Sequence, residues 1–501
     1  MNAHDSQAPG TTDGRVSGRS SAGRWLVAAA VLGSGIAFLD GTVVNVALPS
    51  IGRDFSAGLT RQQWVLDGYL LTLSALLLAG GAAGDRYGRR RLFTGGLIVF
   101  ALASVVCGLA PTSGWLIGAR LVQGIGAAAL VPGSLALIDA GITGVDRGRV
   151  VGIWAGMSGV TSAAGPLIGG WLVDVASWRW VFFLNVPLAI GGLAITGRHV
   201  TESRGAPAAG RPDVFGALTI TLGLGGITYA LIEIPTGGAT PLTLAAFFVG
   251  ATALVSFPLI ERRVTAPLLP LGIFGSRQFS GANLTTLAVY AALGGALFLL
   301  ALQLQQSMGY SALVAGLATV PITVIMLLGS PYAGAASART GSRAPMTLGP
   351  LIAAAGLGLL ARAVPGAHYP SAMLPALVVF GIGLAITVAP LTTAVLAAVS
   401  DDDAGAASGI NNAIARAAGL LAVAILPVAA GIHPGPGQSL GDGFPRAMII
   451  AAALCAAGGV VAFFTVRTAT PVTAHPLPGV NHACQHPCTR NTPTQASPTH
   501  E

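Results

Sequence analysis

Long apolar stretches, each close to the length of a bilayer crossing, alternate with short charged or glycine-rich breaks along nearly the whole chain. A helix needs about 20 apolar residues to cross the hydrocarbon layer. On that measure, runs opening near Trp25, Gln63, Leu92, Trp115, Val150 and Trp178 predict six spans, and two more open near Asp213 and Leu242. A further six open near Gly281, Leu313, Pro345, Ser371, Ala407 and Arg446. Backbone polar groups in lipid must be satisfied internally, which leaves helices or a closed barrel, and the length of the runs selects helices. The chain reads as an all-α integral membrane protein with 14 transmembrane helices and both ends on one side.

The pattern also repeats. Gly81-Ala-Ala-Gly-Asp-Arg-Tyr-Gly-Arg-Arg-Arg-Leu-Phe-Thr-Gly-Gly96 aligns without gaps on Gly334-Ala-Ala-Ser-Ala-Arg-Thr-Gly-Ser-Arg-Ala-Pro-Met-Thr-Leu-Gly349, with eight identities in sixteen positions. Gly124-Ile-Gly126 recurs as Gly381-Ile-Gly383 and Ala163-Ala-Gly165 as Ala417-Ala-Gly419, so the three offsets are 253, 257 and 254 residues. Near-equal offsets in one order indicate duplication, which predicts two six-helix bundles about an axis along the membrane normal. The expected organisation is a disordered cytoplasmic arm over 1–23, an N-terminal six-helix bundle over 24–198 and two inserted helices over 213–260. A C-terminal bundle over 279–468 and a disordered cytoplasmic tail over 469–501 follow.

Composition narrows the function. Apolar residues make up 53% of the chain and charged ones 9%, against about a quarter charged in an ordinary soluble domain; a soluble globular protein is excluded. All 26 basic residues are arginine. Without lysine there is no Gly-x-x-x-x-Gly-Lys phosphate loop and no Schiff-base chemistry, so a P-loop ATP-driven pump is excluded within this chain. The pI near 9.9 does not point to nucleic acid, because the arginines are spread over inter-helix loops. With a cytoplasmic N-terminus, the inner segments hold 19 Arg and the outer ones 5 (Arg53, Arg61, Arg179, Arg362, Arg446), with Arg120 and Arg416 inside spans. That asymmetry predicts a multi-pass protein of the cytoplasmic membrane with both termini inside. The Gly/Ser/Arg-rich start leads into a spanning run and reads as a signal anchor, not a cleaved leader. Cys107, Cys455, Cys484 and Cys488 are too few and scattered for a disulfide framework. In the tail His482, Cys484, His486 and Cys488 alternate, which in an extended chain points all four to one side, a poor start for a tetrahedral metal site. No metal and no cofactor is expected.

Five motifs in order carry a resemblance. They are Leu39-Asp-Gly-Thr-Val-Val-Asn-Val-Ala-Leu-Pro49 in helix 1, the Gly81 loop after helix 2, Arg120-Leu-Val-Gln-Gly-Ile-Gly126 in helix 4, Gly165-Pro-Leu-Ile-Gly-Gly170 in helix 5 and Trp178-Arg-Trp-Val-Phe-Phe-Leu-Asn-Val-Pro187 opening helix 6. Over nearly its whole length the chain resembles the major facilitator superfamily, and within it the fourteen-helix drug–proton antiporters. The resemblance implies a functional monomer that exports amphiphilic drugs or antibiotics in exchange for protons by alternating access. It further implies that the Gly81 loop is a conformational latch and that the Gly165-Pro166 stretch belongs to antiporters as opposed to uptake symporters. Thr161 and Met157 stand where the fuller antiporter motif would have glycine.

Residue chemistry gives roles of its own. An ionisable group inside a spanning helix is costly and functional by default. At 1.5 Å per residue, Asp40 comes out about 11 Å below the outer end of helix 1 and Arg120 about 8 Å below the same face on helix 4, so the two can meet. Burial favours the neutral acid and a nearby Arg the ionised one, which makes Asp40 a proton carrier and Arg120 its modulator; a permanent structural ion pair is the plainer alternative. In the loop, Gly81 and Gly88 permit tight turns while Asp85, Arg86, Arg89 and Arg90 form a charged clamp; the second copy has Ala338 at the position of Asp85. Gly165, Pro166, Gly169 and Gly170 permit a bend and close helix approach. Candidates for a substrate cavity are Asn45, Asp67, Tyr69, Gln123, Trp154, Tyr290, Gln303 and Arg416, with Asp67 and Glu233 near the outer face within reach of water. Asp401-Asp-Asp403 suits the N-terminal dipole of helix 13.

Rival readings are a narrow-specificity proton-coupled transporter of the same fold, a transporter-derived sensor and an intramembrane enzyme. The last lacks a buried base, because all eight His lie outside the predicted spans.

Overall fold

The computed structural model describes residues 16–205, 213–400, 403–432 and 439–467. Fourteen helices long and apolar enough to cross a membrane follow one another. The first six are α1 (Ser21–Asp54), α2 (Leu59–Tyr87), α3 (Arg89–Gly108), α4 (Ser113–Gly141), α5 (Gly144–Val175) and α6 (Arg179–His199, interrupted at Leu184). Two inserted helices come next, α7 (Val214–Gly237) and α8 (Pro241–Glu261). The last six are α9 (Arg277–Ser307), α10 (Ala312–Thr340), α11 (Arg343–Leu360), α12 (Tyr369–Leu396), α13 (Ala404–Ala429) and α14 (Gly443–Thr465). The start of α1 and the end of α14 share one face of the molecule, the terminal face; the opposite one is the far face.

Helix ends follow from local chemistry. Ser20, Thr112, Asp213, Ser276 and Ser311 each accept a backbone N–H of the turn they open, as short polar side chains do at N-caps. α2 stops at Gly88 and α10 at Gly341, with φ of 113° and 84°, a backbone conformation that glycine takes without steric cost. These glycines are 253 residues apart, the offset of the repeated loop. The duplication is therefore visible in the backbone as well as in the letters. The same pairings hold the two bundles: α2 with α4, α3 with α4 and α1 with α5 correspond to α10 with α12, α11 with α12 and α9 with α13.

Residues 16–23 correct the expected disordered arm. Val16 N–H donates to Gly141 O at 2.8 Å and Ser17 Oγ to Asp146 at 2.6 Å, tying the segment to the terminal ends of α4 and α5. Its donors satisfy a carbonyl that α4 leaves open at its C-terminus. Residues 1–15, Asp401, Asp402 and the tail with His482, Cys484, His486 and Cys488 lie outside the described residues. Asp403 stands at the N-cap of α13 and accepts from Ser400 Oγ at 2.8 Å.

The bundles meet along two seams, α5 against α10 and α2 against α13. Toward the far face both are closed, and a single buried apolar cluster runs from Val44, Leu48 and Ile51 of α1 to Ala315 and Ile322 of α10 and Leu426 of α13. Three glutamines add hydrogen bonds across the halves there: Gln305 to Val46 O (2.9 Å), Gln306 to Gln62 (3.4 Å) and Gln63 to Val423 O (2.7 Å). Toward the terminal face the α5–α10 seam parts: a methyl group added at Gly148, Gly152, Gly156 or Gly159 would meet open space. The inserted pair is locked by glycines, with the Cα of Gly226 so close to α8 that a Cβ would be 2.4 Å from Ala246 O. α7 lies over the α2–α13 seam, where Leu224 packs with Leu71 and Leu420.

Candidate functional site

Asp40 and Arg120 form an ion pair, both completely buried inside the N-terminal bundle. Four helices build the setting. Gln123, one turn beyond Arg120 on α4, accepts from Arg120 Nη1 at 2.7 Å and donates Nε2–H to Asp40 Oδ1 at 3.0 Å. Asn185, just past the break in α6, donates Nδ2–H to Asp40 Oδ1 at 2.9 Å. Ser104 of α3 accepts from Gln123 at 2.8 Å and from Asn185 at 3.4 Å. Arg120 Nε donates to Val65 O of α2 at 3.0 Å, and its guanidinium lies 4.3 Å above the Tyr69 ring. Tyr69 is held in turn by its hydroxyl, which donates to Ala37 O at 2.9 Å.

The geometry decides several points. Every partner of Asp40 donates to it, the pattern of a carboxylate, and removing one member of a buried pair typically costs about 3–5 kcal/mol. Arg120 Nη2 has no acceptor, so the guanidinium can take another oxygen without releasing the first. All members are buried. Gln123 and Tyr69 thus belong to the charge network and not to an open cavity wall. Asn185 and Ser104 complete it without having been predicted; Asn185 lies in the quoted helix-6 motif, whereas a lone serine in a helix carries no signal.

The Gly81 stretch is a second cluster, on the terminal face; it corrects the expected loop, because α2 runs on through Gly81 to Tyr87 and only Gly88 turns the chain before α3 starts at Arg89. Arg89 Nε pairs with Asp85 Oδ1 at 2.8 Å and its Nη1 reaches Ala136 O at 3.3 Å, joining α2, α3 and α4. Arg90 donates to Gly197 O at 3.0 Å, and Arg86 lies 6.0 Å from the Tyr87 ring centroid. Glu202, which sequence reasoning missed, accepts the Arg90 and Arg91 backbone N–H groups at 3.1 and 3.2 Å at the start of α3, where an anion offsets the helix dipole. Any Cβ at Gly88 would be 2.8 Å from that carboxylate. Gly81 faces Pro132 of α4.

The helix-5 glycines are contact points. A Cβ at Gly165 would be 2.1 Å from Thr42 Oγ1, at Gly169 2.5 Å from Val43, and at Gly170 2.5 Å from Ala312 O across the seam. Pro166 O faces Gly316, where a Cβ would be 2.3 Å away. Asp174, also unpredicted, accepts the Ala312 and Leu313 N–H groups at 3.0 and 2.9 Å and so caps α10 from the other bundle.

The cavity candidates disperse. Trp154 donates to Ser34 Oγ at 2.8 Å, between α5 and α1. Asn45, half-buried on α1, donates to Gly41 O at 3.3 Å. Gln303 is buried away from any opening and donates to Ala363 O at 2.8 Å. Tyr290 is half-buried on α9, within electrostatic range of Arg416. Arg416 of α13 reaches across the halves and lies 4.8 Å from the Phe38 ring of α1. Asp67 corrects its placement within reach of water: it is fully buried, because α7 and α13 close over that face of α2. Glu233 is half-buried and accepts from Trp64 Nε1 at 2.8 Å.

Duplicated helical bundles that meet at two seams, with buried charge inside one bundle and a charged turn at its edge, define a membrane transporter. The chain belongs to the Major Facilitator Superfamily, whose family model matches residues 30–424 and, in a second match, 284–494. It is 38% identical over 393 residues to the puromycin resistance protein pur8 of Streptomyces alboniger, covering 77% of this chain and 78% of that one. It is 34% identical over 454 residues to the methylenomycin A resistance protein of Bacillus subtilis, covering 90% and 96%. Among solved structures, a bacterial homologue of the human lysosomal transporter Spinster, inward-facing and unoccupied, superposes with a TM-score of 0.62 over 89% of this chain and 98% of that one at 17% identity, a likeness of fold.

Proposed function

We propose that this transporter exports amphiphilic small molecules, antibiotics among them, across the cytoplasmic membrane in exchange for protons. On this reading the terminal face is cytoplasmic, the arrangement described is inward-facing, and the chain works as a monomer. The observation that carries the proposal is the sealed Asp40–Arg120–Gln123–Asn185 network, an acid on α1 held entirely by donors from α4 and α6. When the bundles rock, a proton arriving from outside neutralises Asp40 and releases Arg120; the return movement restores the pair and expels the proton inside. The resistance names of the relatives support the outward direction. One proton crossing 100 mV supplies about 2.3 kcal/mol, enough for about a forty-fold substrate gradient.

Arg416 shapes the substrate class. A guanidinium held against Phe38 between the halves, with no ion pair of its own among the described residues, suits a substrate with an aromatic body and an acidic or strongly electron-rich group. The test uses acidified inside-out vesicles, a pH-sensitive dye and a panel including puromycin and methylenomycin A. Substrate-driven proton release in the wild type that is lost in Asp40→Asn is the expected result. Substrate transport without proton movement, or full coupling in Asp40→Asn, would sink the antiport mechanism.

A further inference from the structure

Asp67 is the buried acid that the network around Asp40 leaves unused. It lies eight residues into α2, about 12 Å below the helix start at 1.5 Å per residue. Its side chain is fully buried and neither carboxyl oxygen has a hydrogen-bond partner among the described residues. Residues 63, 67 and 71 share one face of α2, by the spacing of a helix. Gln63 donates to Val423 O of α13 at 2.7 Å, and Leu71 packs with Leu420 of α13 and Leu224 of α7. Asp67 therefore lies in the α2–α13 seam, under the inserted helix.

The charged and titratable groups around it are engaged elsewhere. On α4 and α1, Arg120 and Asp40 hold each other; on α2, the Tyr69 hydroxyl is bound to Ala37 O. On α13, Arg416 lies against Phe38; on α7, Glu233 takes the Trp64 indole N–H beside Tyr229. On α3, Cys107 donates to Gln123. An isolated carboxylate in such a place is prohibitively costly, whereas a carboxylic acid is not.

A route to bulk water ends one turn away. On the far face a cavity of about 280 Å³ opens between α2, α7 and α13, lined by Thr60, Gln63, Ile232, Pro235, Pro427 and Val428. Gln63 is the deepest α2 residue of that lining, and Asp67 follows one turn below it. The Gln63 side chain, held to Val423 O at 2.7 Å, stands at the inner edge of that cavity on α2.

We infer that Asp67 is a gate proton site: the outer end of the α2–α13 seam shuts only with a proton on Asp67, taken from outside through this cavity, and gives it back to the outside on reopening. The inference rests on the alternating access proposed above. This proton does not cross the membrane. It differs from the one assigned to Asp40 because it sets the balance between the two conformations, not the exchange ratio. At Asp67 the inward-facing form binds one more proton than the outward-open form, the reverse of Asp40, so through this site acid outside favours closure and alkali favours opening. The balance moves by up to tenfold per pH unit while Asp67 is ionised in the open form alone.

The experiment reads conformation without substrate or gradient. Spin labels at Arg61→Cys on α2 and Ala429→Cys on α13, both exposed at the far end, are placed in full-length protein in nanodiscs, with the four native cysteines replaced. Distances are measured from pH 5.5 to 8.5 (buffer conditions, about three decades of proton activity). With Asp40→Asn in the background, which removes the opposing proton, the short-distance population should rise with acidity, stay high and flat once Asp67→Asn is added, and titrate again with Asp67→Glu in its place, which controls for folding. Gln63→Ala should keep the titration and speed the exchange. An Asp40→Asn protein without pH dependence, or an Asp40→Asn, Asp67→Asn protein that titrates like it, overturns the proposal. Failure of vesicle antiport with the conformational titration intact would instead count against the export reading.

Discussion

The two seams between the bundles are built from different material. α5 meets α10 through backbone: Gly170 on Ala312, Gly316 on Pro166 O, and the Asp174 carboxylate on two amides. α2 meets α13 through side chains, Leu71 on Leu420 and Leu78 beside Gly409, with Gln63 and Asp67 between them and α7 laid over the top. A glycine contact parts and re-forms with few rotamers to order and little polar surface to strip of water. The second seam cannot close without burying an amide and a carboxyl group, so chemistry in the surrounding water has a hold on it. One seam is mechanical and the other is conditional.

The comparison can be broken hardest at Gly316. Gly316→Leu puts atoms where a Cβ alone is 2.3 Å from Pro166 O; overpacking costs about 1–3 kcal/mol, so the far seal should lose about five- to hundredfold in occupancy, with a matching loss of substrate accumulation in vesicles. Gly409→Leu in the other seam meets only the Leu78 side-chain tip at 3.3 Å, and transport should fall no more than about threefold, or roughly half a kcal/mol. Equal losses would show the seams to be alike.

Cross-linking sharpens the same contrast. Ala155 and Leu327 each lie eleven residues, about three turns, toward the terminal face from the Pro166–Gly316 contact. A cysteine pair there should stay unlinked in the inward-facing protein and link when it is driven outward-facing. A Leu78→Cys, Gly409→Cys pair should link in the arrangement described. A smaller effect is expected of Asp174→Asn, which weakens the cap on α10; at about 0.3–1 kcal/mol for such an end charge, spin-label distances should show a two- to fivefold bias toward far-face opening. The smallest is Trp64→Phe, which removes the bond to Glu233. Its cost of about 1 kcal/mol should lower the thermal midpoint slightly and leave transport within about twofold.

Much of this was legible beforehand because lipid enforces simple rules. Apolar runs must be helices, so span positions could be read to within a few residues, and Asp40 and Arg120 stood out as charges in otherwise uncharged stretches. The pairing was foreseen on imperfect geometry. α1 continues to Asp54, so Asp40 lies about 21 Å from the helix end at 1.5 Å per residue, twice the depth expected, and the length of the arginine side chain helps close the difference. Asn185 and Ser104 stayed hidden because neutral polar residues in glycine- and alanine-rich helices give no periodic signal. Asp174 and Glu202 carry no motif, because what each does depends on a helix end that only the fold brings to it. Asp67 was misplaced for a different reason. Nothing in the apolar pattern tells which side of the bundles α7 and α8 lean on, and their position decides whether water reaches it.

The inserted pair also bears on traffic. Two bundles hinged around a chamber would leave two slits facing the surrounding fatty acyl chains, one per seam. With α7 drawn across one of them, a guest dissolved in the leaflet would, on the export reading, enter from one side alone, beside the glycine-lined stretch of α5.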